Sequence, residues 1–355
     1  MHGDGRMQNG MKTDSEEKID FVLPWVDGSD PEWMARKREY EGDGDGKSSD
    51  FNANGDCRYR DMGLLRYWFR AVERFAPWVN KVFFVTCGQK PEWLDESNPK
   101  LRLVDHREYI PAEHLPTFNV RAINLNLHRI ADLSERFVLF DDDVFLLQPR
   151  RPRDFFRGGL PVLPCDLGIP YWLGPSHTSR VVLNNCGYLR RNMDVNRLVW
   201  KNIAKFADVF SLGPVRAAKN VLSFAVNRTV IQGCFGHMAQ AHLKSTFAEV
   251  WERLPEVMER TSRHRFRSDE DVNQWLLCTW NLVTGRFHPG NEKRMGGYVV
   301  LSERNLEKAC EAVRRQRWPQ VCLNDAGAAD DFGHCSRAMG EAFEAILAEK
   351  SGFEK

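Results

Sequence analysis

The chain has 355 residues, of which 42% are hydrophobic and 28% are charged, and its formal net charge is +1. This is the composition of an ordinary globular protein, with room for one large α/β domain or two small ones. A charge balance this close to zero argues against nucleic acid or an anionic membrane surface as the main partner.

The nine cysteines are scattered along the chain and form no CxxC pair. An odd set of this kind indicates neither a zinc site nor a complete disulfide framework, so we expect a reducing, cytoplasmic setting. Residues 1–18 are polar, lack the apolar core of an export signal and are interpreted as a disordered leader. No stretch approaches the roughly 18 apolar residues that span a bilayer, which leaves only peripheral membrane contact open.

The first part of the chain begins with an apolar run at 19–26, followed by a turn-rich segment at 27–31. This pattern is typical of a strand and its loop in a nucleotide-binding α/β unit. Residues 32–40 predict a short helix. Residues 41–56 are rich in Gly, Asp, Ser and Asn, and they predict a flexible surface loop.

Strands and helices then alternate. We expect strands at 81–86, 101–104 and 137–140, with helices at 64–75 and 121–133. Such alternation favours an α/β fold with a mostly parallel sheet and helices on both faces.

The pattern changes after Pro149, because about 185–285 read as a largely helical subdomain inserted in a single catalytic domain, 19–355. Its clearest helices are expected at 243–260 and 271–284. The remaining predicted elements are strands at 298–301 and 320–323 and helices at 303–316 and 336–349.

Three consecutive carboxylates, Asp141, Asp142 and Asp143 (the aspartate triplet), end the apolar run at 137–140 and precede a second apolar run at 144–147. Open α/β sheets bind their ligands at the carboxyl ends of the strands. Adjacent carboxylates repel one another unless a cation neutralises them, and the usual cation is a divalent metal that carries phosphate oxygens. The alternative is a charged strand exit without chemistry, but apolar core on both sides favours the metal-linked role.

Polar residues follow two other predicted strands. Asp27 follows the first, and Asn324 and Asp325 follow the strand at 320–323. Asn and Asp favour turns for local reasons, so each position alone is a weak signal. Together with the aspartate triplet they fit one crevice at the carboxyl edge of a sheet.

Cations and a histidine are also available. Arg58, Arg60 and Arg66 surround the start of the helix at 64–75, and arginine suits bidentate phosphate contacts. His237 lies in a Gly-flanked segment and is either a general base or phosphate donor, or a structural histidine. A Walker A loop, GxGxxG, HExxH and the serine-hydrolase elbow are all missing from the sequence.

These residues lie in four segments that resemble, in order, the conserved blocks of the Stealth family of sugar-phosphate transferases. The family includes bacterial capsule polymerases and the catalytic part of the animal N-acetylglucosamine-1-phosphotransferase. The matching segments are 19–30 (IDFVLPWVDGSD), 58–85 (RYRDMGLLRYWFRAVERFAPWVNKVFFV) with its continuation to the aspartate triplet, His237 with Arg267 and Asp271, and 322–325 (CLND).

The resemblance implies a glycosyltransferase-A-like fold and a magnesium or manganese ion. It also implies transfer of a hexose 1-phosphate, with N-acetylhexosamine 1-phosphate as the first choice, from a UDP-sugar to a hydroxyl of a glycan acceptor, with release of UMP. The process would be capsular or surface polysaccharide synthesis. Leu64, Trp68 and Asn124 depart from the residues usual in the family beside the donor region, so the hexose is left open.

Site roles follow from the same block matching. Asp142, Asp143, His237 and Arg267 are the expected catalytic residues, and either His237 or one of the aspartates would be the general base. The expected metal ligands are Asp142, Asp143 and Asp325. The expected substrate-binding residues are Asp27, Arg60, Arg66, Asn119, Asp271 and Asn324.

Two other functions compete with this one. A metal-dependent glycosyltransferase on the same fold would use the same donor but release UDP. A carbohydrate-binding protein with a catalytically dead nucleotide-sugar fold would not need the complete set of aspartates, His237 and Arg267.

Overall fold

The computed structural model describes residues 18–41, 48, 53–167, 177–227, 237–325, 327 and 331–355. The predicted leader, apart from Lys18, and most of the predicted loop 41–56 lie outside these described residues. The strands are β1 (Ile19–Pro24), β2 (Val82–Thr86), β3 (Leu101–Asp105), β4 (Arg136–Leu139), β5 (Val144–Leu146), β6 (Phe156–Arg157), β7 (Leu160–Pro164), β8 (Gln240–Leu243), β9 (His288–Gly290), β10 (Gly297–Val300) and β11 (Gln320–Asn324).

Helices connect and cover these strands. They are α1 (Pro31–Tyr40), α2 (Leu65–Phe75), α3 (Val120–Leu125), α4 (His177–Asn192), α5 (Val195–Lys201), α6 (Ile203–Phe206), α7 (Val209–Leu212), α8 (Pro214–Asn227), α9 (Lys244–Arg253), α10 (Pro255–Arg263), α11 (Trp275–Thr284), α12 (Glu292–Met295), α13 (Leu306–Arg314) and α14 (Phe332–Glu344). None of the helices in this described part is long and apolar enough to cross a lipid bilayer.

The main sheet has the strand order β3-β2-β1-β4-β8. β1 pairs in parallel with both β2 and β4, and β2 pairs in parallel with β3. Among the described strands of this sheet, the edge strand β8 alone runs antiparallel to its neighbour, β4. The predicted mostly parallel α/β sheet is confirmed.

Both faces of the main sheet are buried. Along β1, Phe21 and Leu23 point into one hydrophobic core and Val22 points into the other, because alternate side chains of a strand face opposite sides. Helices α2, α13 and α14 share the first core, and α3, α9, α10 and α11 share the second. The sheet therefore carries helices on both faces, as predicted.

The chain leaves the main sheet at the aspartate triplet. β4 ends at Leu139, and β5 begins at Val144 in a second sheet of order β10-β11-β5, where it runs antiparallel to β11. A third small sheet has the order β6-β7-β9. The triplet thus forms the corner between two sheets, with β11 beside it.

The described part of 185–285 is mainly helical, as predicted, but it differs from the sequence prediction in two places. The buried strand β8 pairs with β4 where a helix is predicted. The predicted helix 243–260 is two helices that meet at Leu254 and Pro255. Proline has no backbone N–H and clashes with the preceding turn, so one continuous helix cannot pass through Pro255.

Candidate active site

Backbone hydrogen bonds fix the aspartate triplet at the carboxyl end of the central strands. Phe140 N donates to Val22 O of β1 at 2.9 Å, and Val144 N donates to Asp141 O at 3.1 Å, which closes the turn. Leu323 N of β11 donates to Asp143 O at 2.9 Å. The three carboxylates therefore lie where β1, β4 and β11 meet, at the edge of the sheet that the sequence predicts.

Desolvation and mutual repulsion disfavour the charged forms of the carboxyl groups in the triplet. The Asp142 residue is exposed and Asp143 is half-buried, yet the surrounding protein desolvates both carboxyl groups. Desolvation, reinforced by the charges of Asp143 and Asp141, holds the pKa of Asp142 well above its ordinary value. Desolvation followed by the charge of Asp141 raises the pKa of Asp143 to about 7. These groups would be stabilised by a cation placed among them.

Two observations indicate how a divalent metal would fit. Asp143 Oδ1 is buried without a hydrogen-bond partner, while Asp143 Oδ2 accepts from Cys322 Sγ at 3.2 Å. Within the described ranges, no group of three or more His, Cys, Asp or Glu residues is arranged to hold a metal. Mg²⁺ is commonly held by one or two carboxylates plus substrate phosphates, so Asp142 and Asp143 fit this ion without a third protein ligand.

Asp325 is committed to a cation of the protein. Its Oδ2 lies 2.7 Å from Arg60 Nη2, and its Oδ1 lies 3.0 Å from the same nitrogen and accepts from Gly327 N at 2.9 Å. The Arg60 guanidinium also lies 4.3 Å over the ring of Phe332. Asn324, the last residue of β11, is buried beside this pair. The structure thus joins Asp325 with Arg60, although the buried Asp325 Oδ2 has no partner of hydrogen-bond geometry among the described residues, and its role as a metal ligand stays a prediction.

His237 faces the aspartate triplet immediately before β8. Its half-buried ring stacks on Tyr298 at 5.2 Å between centroids and meets Trp275 edge-on at 6.1 Å. Desolvation lowers the pKa of His237, and the negative charge of Asp141 opposes this shift only in part. The imidazole is therefore mainly neutral near pH 7, which is the form that accepts a proton.

Arg267 faces the same aspartates from the segment between α10 and α11. Desolvation raises the pKa of Asp141, and the positive charges of His237 and Arg267 oppose this shift in part, while desolvation lowers the pKa of Arg267 itself to about 10. At that value the guanidinium keeps its charge at neutral pH. It makes no hydrogen bond or ion pair with the described residues, so its planar fork of donors is free for an anion.

A buried network supports the Arg267 segment. Asp271 has no solvent exposure, and its Oδ2 accepts from Arg121 Nη1 at 3.0 Å, from Asn119 Nδ2 at 3.1 Å and from Ser268 N at 2.9 Å. Its Oδ1 lies 2.7 Å from His264 Nδ1. A carboxylate with these partners is paired and hydrogen-bonded as burial of a charge requires.

This network corrects two sequence predictions. Asn119 and Asp271 are predicted to bind substrate, but both side chains are fully buried and occupied by protein partners. Asn119 also caps α3 and donates to the carbonyl of Phe266, next to Arg267. In this structure both residues hold the segment that carries Arg267 and do not reach the cleft.

The loop after β1 is fastened to the loop after β2. Gln89 Oε1 accepts from Asp27 N, and Gln89 Nε2 donates to Asp27 O, both at 3.0 Å. The Asp27 carboxylate accepts from the amide and hydroxyl of Ser29. Gly28 N donates to Tyr59 O at 3.0 Å, and a Cβ at position 28 would lie 2.2 Å from that oxygen. These two loops therefore form one rigid rim beside the site.

Arg66 is the predicted site residue that the structure leaves apart. It is exposed on α2, and its guanidinium lies 5.3 Å over the ring of Trp93. No contact between described residues joins it to the aspartates. The helical position explains the difference, because Arg66 lies on the outward side of α2 whereas Leu65 and Trp68 face the core.

Sequence reasoning misses two residues of the cleft. The negative charge of Asp61 raises the pKa of Asp142, and the charge of Asp27 raises the pKa of Asp61 after desolvation. Asp61 is therefore close enough to both Asp27 and Asp142 for these charges to interact. Tyr298, 48% exposed, stacks on His237, and desolvation raises its pKa to about 12. For Asp61, the only signal in the sequence is an acidic residue close to the arginines of 58–61. For Tyr298, the sequence carries no signal.

Three conserved-region models of the Stealth family match the chain. Conserved region 1 matches residues 17–45, conserved region 2 matches 58–161, and conserved region 3 matches 236–284. They contain, respectively, the β1 loop with Asp27, the arginines with the aspartate triplet, and His237 with Arg267.

Similar proteins cover almost the whole chain. The capsular polysaccharide phosphotransferase WcwK of Streptococcus pneumoniae is 39% identical over 95% of this chain and 99% of its own length. The receptor polysaccharide phosphotransferase WefC of Streptococcus oralis is 38% identical over 95% of this chain and 99% of its own. The exopolysaccharide phosphotransferase cps2G of Lactiplantibacillus plantarum is 33% identical over 97% of this chain and 98% of its own.

Among solved structures, the galactosyltransferase LgtC in complex with donor and acceptor sugar analogs has a TM-score of 0.40 and 10% identity, over 94% of this chain and 98% of that one. The sequence likeness is much closer, since it combines three matched conserved regions with full-length similarity to phosphotransferases. The chain is therefore a transferase that belongs to the Stealth family.

Proposed function

We propose that this protein transfers a hexose 1-phosphate from a UDP-sugar to a hydroxyl of a glycan acceptor in capsular or surface polysaccharide synthesis. The preferred candidate for the transferred group is N-acetylhexosamine 1-phosphate. The observation that carries the proposal is the convergence of the aspartate triplet, neutral His237 and charged Arg267 on one edge of the sheet. The similar proteins from Streptococcus and Lactiplantibacillus are polysaccharide phosphotransferases.

The donor diphosphate would lie over the aspartate triplet, with its uridine end at the rim formed by Asp27 and Gln89. Asp142 and Asp143 would hold Mg²⁺ or Mn²⁺, which when bound would draw negative charge off the diphosphate. Asp142 and Asp143 contribute two carboxyl groups whose raised pKa values a bound cation would lower, and Asp143 also contributes the unpartnered oxygen.

Arg267 would stabilise the charge on the transferred phosphoryl group. Its guanidinium faces the aspartates, stays charged at neutral pH and has no competing partner among the described residues. Donors fixed before the reaction cost no reorganisation in the transition state. The buried network around Asp271 supplies this fixation. Arg60 is less suited to the role, because Asp325 already neutralises it.

His237 is the better candidate for the general base. It is neutral near pH 7, whereas an aspartate that holds a metal is a poor proton acceptor. In the proposed step the acceptor oxygen attacks the phosphorus of the sugar phosphate. The bond from that phosphorus to the oxygen of UMP breaks, UMP leaves, and the hydroxyl proton passes to His237. The product is a sugar phosphodiester.

A reducing cytoplasm is the compartment that we propose. All eight cysteines of the described ranges are free thiols, and no pair of them forms a disulfide. Five of them are buried in the cores, where a thiol behaves as a small apolar group. Such usage is ordinary for a protein kept under reducing conditions.

The decisive experiment identifies the nucleotide product. Purified protein is incubated with a panel of UDP-sugars, a glycan acceptor and Mg²⁺ or Mn²⁺, and the nucleotides are separated by ion-exchange chromatography. The proposal expects UMP in equal amount to a new phosphodiester detected by ³¹P NMR. UDP as the only stoichiometric nucleotide would support the glycosyltransferase alternative, and absence of turnover with bound donor would support the carbohydrate-binding alternative.

A further inference from the structure

Helix α8 carries its apolar side outward. Val215, Leu222 and Val226 are 82%, 66% and 71% exposed. The polar Asn220 is instead fully buried, where its side chain accepts from Leu167 N and donates to the carbonyls of Cys165 and Phe206. These hydrogen bonds fix the rotation of the helix. The outward apolar side is therefore built into the fold.

Neighbouring helices extend this surface. Phe210 on α7 is 96% exposed, and Val209 beside it is also exposed. Trp200 on α5 is 66% exposed and stacks against Phe224 of α8 at 6.1 Å. An open groove of about 510 Å³ separates α7 from α8. We call this surface the apolar face; its members are Trp200, Val209, Phe210, Val215, Leu222 and Val226.

The apolar face lies in a basic part of the chain. Residues 177–227 contain eight Lys or Arg residues and two Asp or Glu residues, although the whole chain has a net charge of only +1. Three of the eight are paired with carboxylates outside this range, Arg180 with Asp269 and both Arg216 and Lys219 with Asp166. Arg197 and Lys201 are exposed on α5 beside Trp200 and form no ion pair with a described residue. Positive charge is therefore concentrated in this part of the chain. The near-zero net charge of the whole chain, which argues against an anionic membrane partner, does not reveal this concentration.

We propose that the apolar face binds an anionic lipid bilayer in the plane of its surface. Phe210, Trp200 and Leu222 would enter the boundary between headgroups and acyl chains, and Arg197 and Lys201 would contact lipid phosphates. Large contiguous apolar patches on soluble proteins mark interaction sites. A second copy of the chain fits less well, since a two-fold interface would bring one basic surface against another.

Vesicle sedimentation tests the proposal. The full chain is mixed with vesicles of phosphatidylcholine alone, or of phosphatidylcholine and phosphatidylglycerol in equal parts, at low and at physiological salt. We expect binding to the mixed vesicles that weakens with salt, and little binding to the neutral ones. Absence of binding to the anionic vesicles at low salt would overturn the proposal, and a dimer in light scattering that dissociates on Phe210→Glu would then assign the face to a second copy.

Variants locate the surface. Phe210→Ala should weaken binding to the mixed vesicles about tenfold through lost apolar burial. Lys201→Glu should weaken it roughly five- to twentyfold. Arg315→Glu makes the same charge change at an exposed site on the turn after α13 and should leave binding unchanged. Thermal melting should not shift for Phe210→Ala, since this side chain is almost fully exposed. Binding that neither Phe210→Ala nor Lys201→Glu reduces would refute the proposal.

Discussion

Asn54 holds the backbone of Arg267 on both sides of the residue. Its Oδ1 accepts from Arg267 N at 2.9 Å, and its Nδ2 donates to Arg267 O at 3.1 Å. Asn54 belongs to 41–56, which the sequence predicts as a flexible surface loop. The described end of this loop is instead packed, with Ala53 fully buried. The segment therefore orients the arginine that we assign to the phosphoryl group.

Asn54→Ala should lower kcat about tenfold with little change in the KM for the donor, because catalysis depends on the exact placement of Arg267. In an Arg267→Ala background the same substitution should cost little more, since residues that act through one another are non-additive. Both are measured by steady-state kinetics on the double-mutant cycle.

Asn98→Ala is the matched control for that prediction. Asn98 also bonds two backbone groups, Gly352 O at 2.7 Å and Lys100 N at 2.9 Å, but these lie away from the cleft. Its loss should leave kcat unchanged. If both alanine variants lose activity to the same small extent, Asn54 is merely structural.

Much of the fold is predictable because the pattern is local. The apolar runs of β1, β2 and β4 are each buried on both faces, so their strands can be recognised without any partner. β8 has no such pattern, since QAHL is a strand only through its pairing with β4. Tertiary contacts decide such short segments.

The site divides in the same way. The aspartate triplet, His237 and Arg267 can be found because unusual residue types stand at strand ends or in family blocks. Their supports cannot, since Asn54 and Gln89 act over long separations through ordinary amides. An aspartate in the sequence can bind substrate or pair with a buried arginine. The residue type of Asp271 does not distinguish these roles, and in the structure it pairs with Arg121.

Gly28→Ala should disturb the rim that we assign to the uridine. The added Cβ would lie 2.2 Å from Tyr59 O, so the loop must move away and its hydrogen bond to Tyr59 must lengthen. We expect the KM for the donor to rise about tenfold or more, measured by initial rates. Gly187→Ala is the control, because nothing lies within 4 Å of the new Cβ in α4. It should be neutral or slightly stabilising; an unchanged KM in Gly28→Ala would place the donor elsewhere.

Asp143→Asn should stabilise the metal-free protein and abolish its response to metal. The folded-state pKa of Asp143, about 7, lies above the ordinary value of 3.8, so the folded state binds the proton more tightly than the unfolded chain. Its contribution to stability is therefore lost as the pH rises from about 4 towards 7. At pH 8 we expect the melting temperature of the variant to be higher by roughly 1–3 °C. Mn²⁺ should raise the melting temperature of the unaltered chain only.

Asp325→Asn separates the two roles considered for Asp325. If it serves Arg60, as its 2.7 Å ion pair indicates, Mn²⁺ affinity measured by calorimetry should be nearly unchanged. A loss of affinity comparable to that of Asp142→Asn would make Asp325 a ligand after all. If Mn²⁺ still raises the melting temperature of both the Asp142→Asn and the Asp143→Asn variants, the metal does not bind at the aspartate triplet.

His237 should set the acid limb of the pH–rate profile. Because desolvation lowers its pKa below 6.5, the neutral base persists to slightly acidic pH, and kcat at saturating metal should fall only below that value. His237→Gln should reduce kcat about 10²- to 10⁴-fold and flatten this limb. Saturating metal is essential, since protonation of Asp143 near pH 7 would otherwise add a second acid limb through metal loss. A variant that keeps the acid limb and loses only substrate affinity would make His237 a substrate ligand, and the base would then have to be sought among Asp141, Asp142 and Asp143.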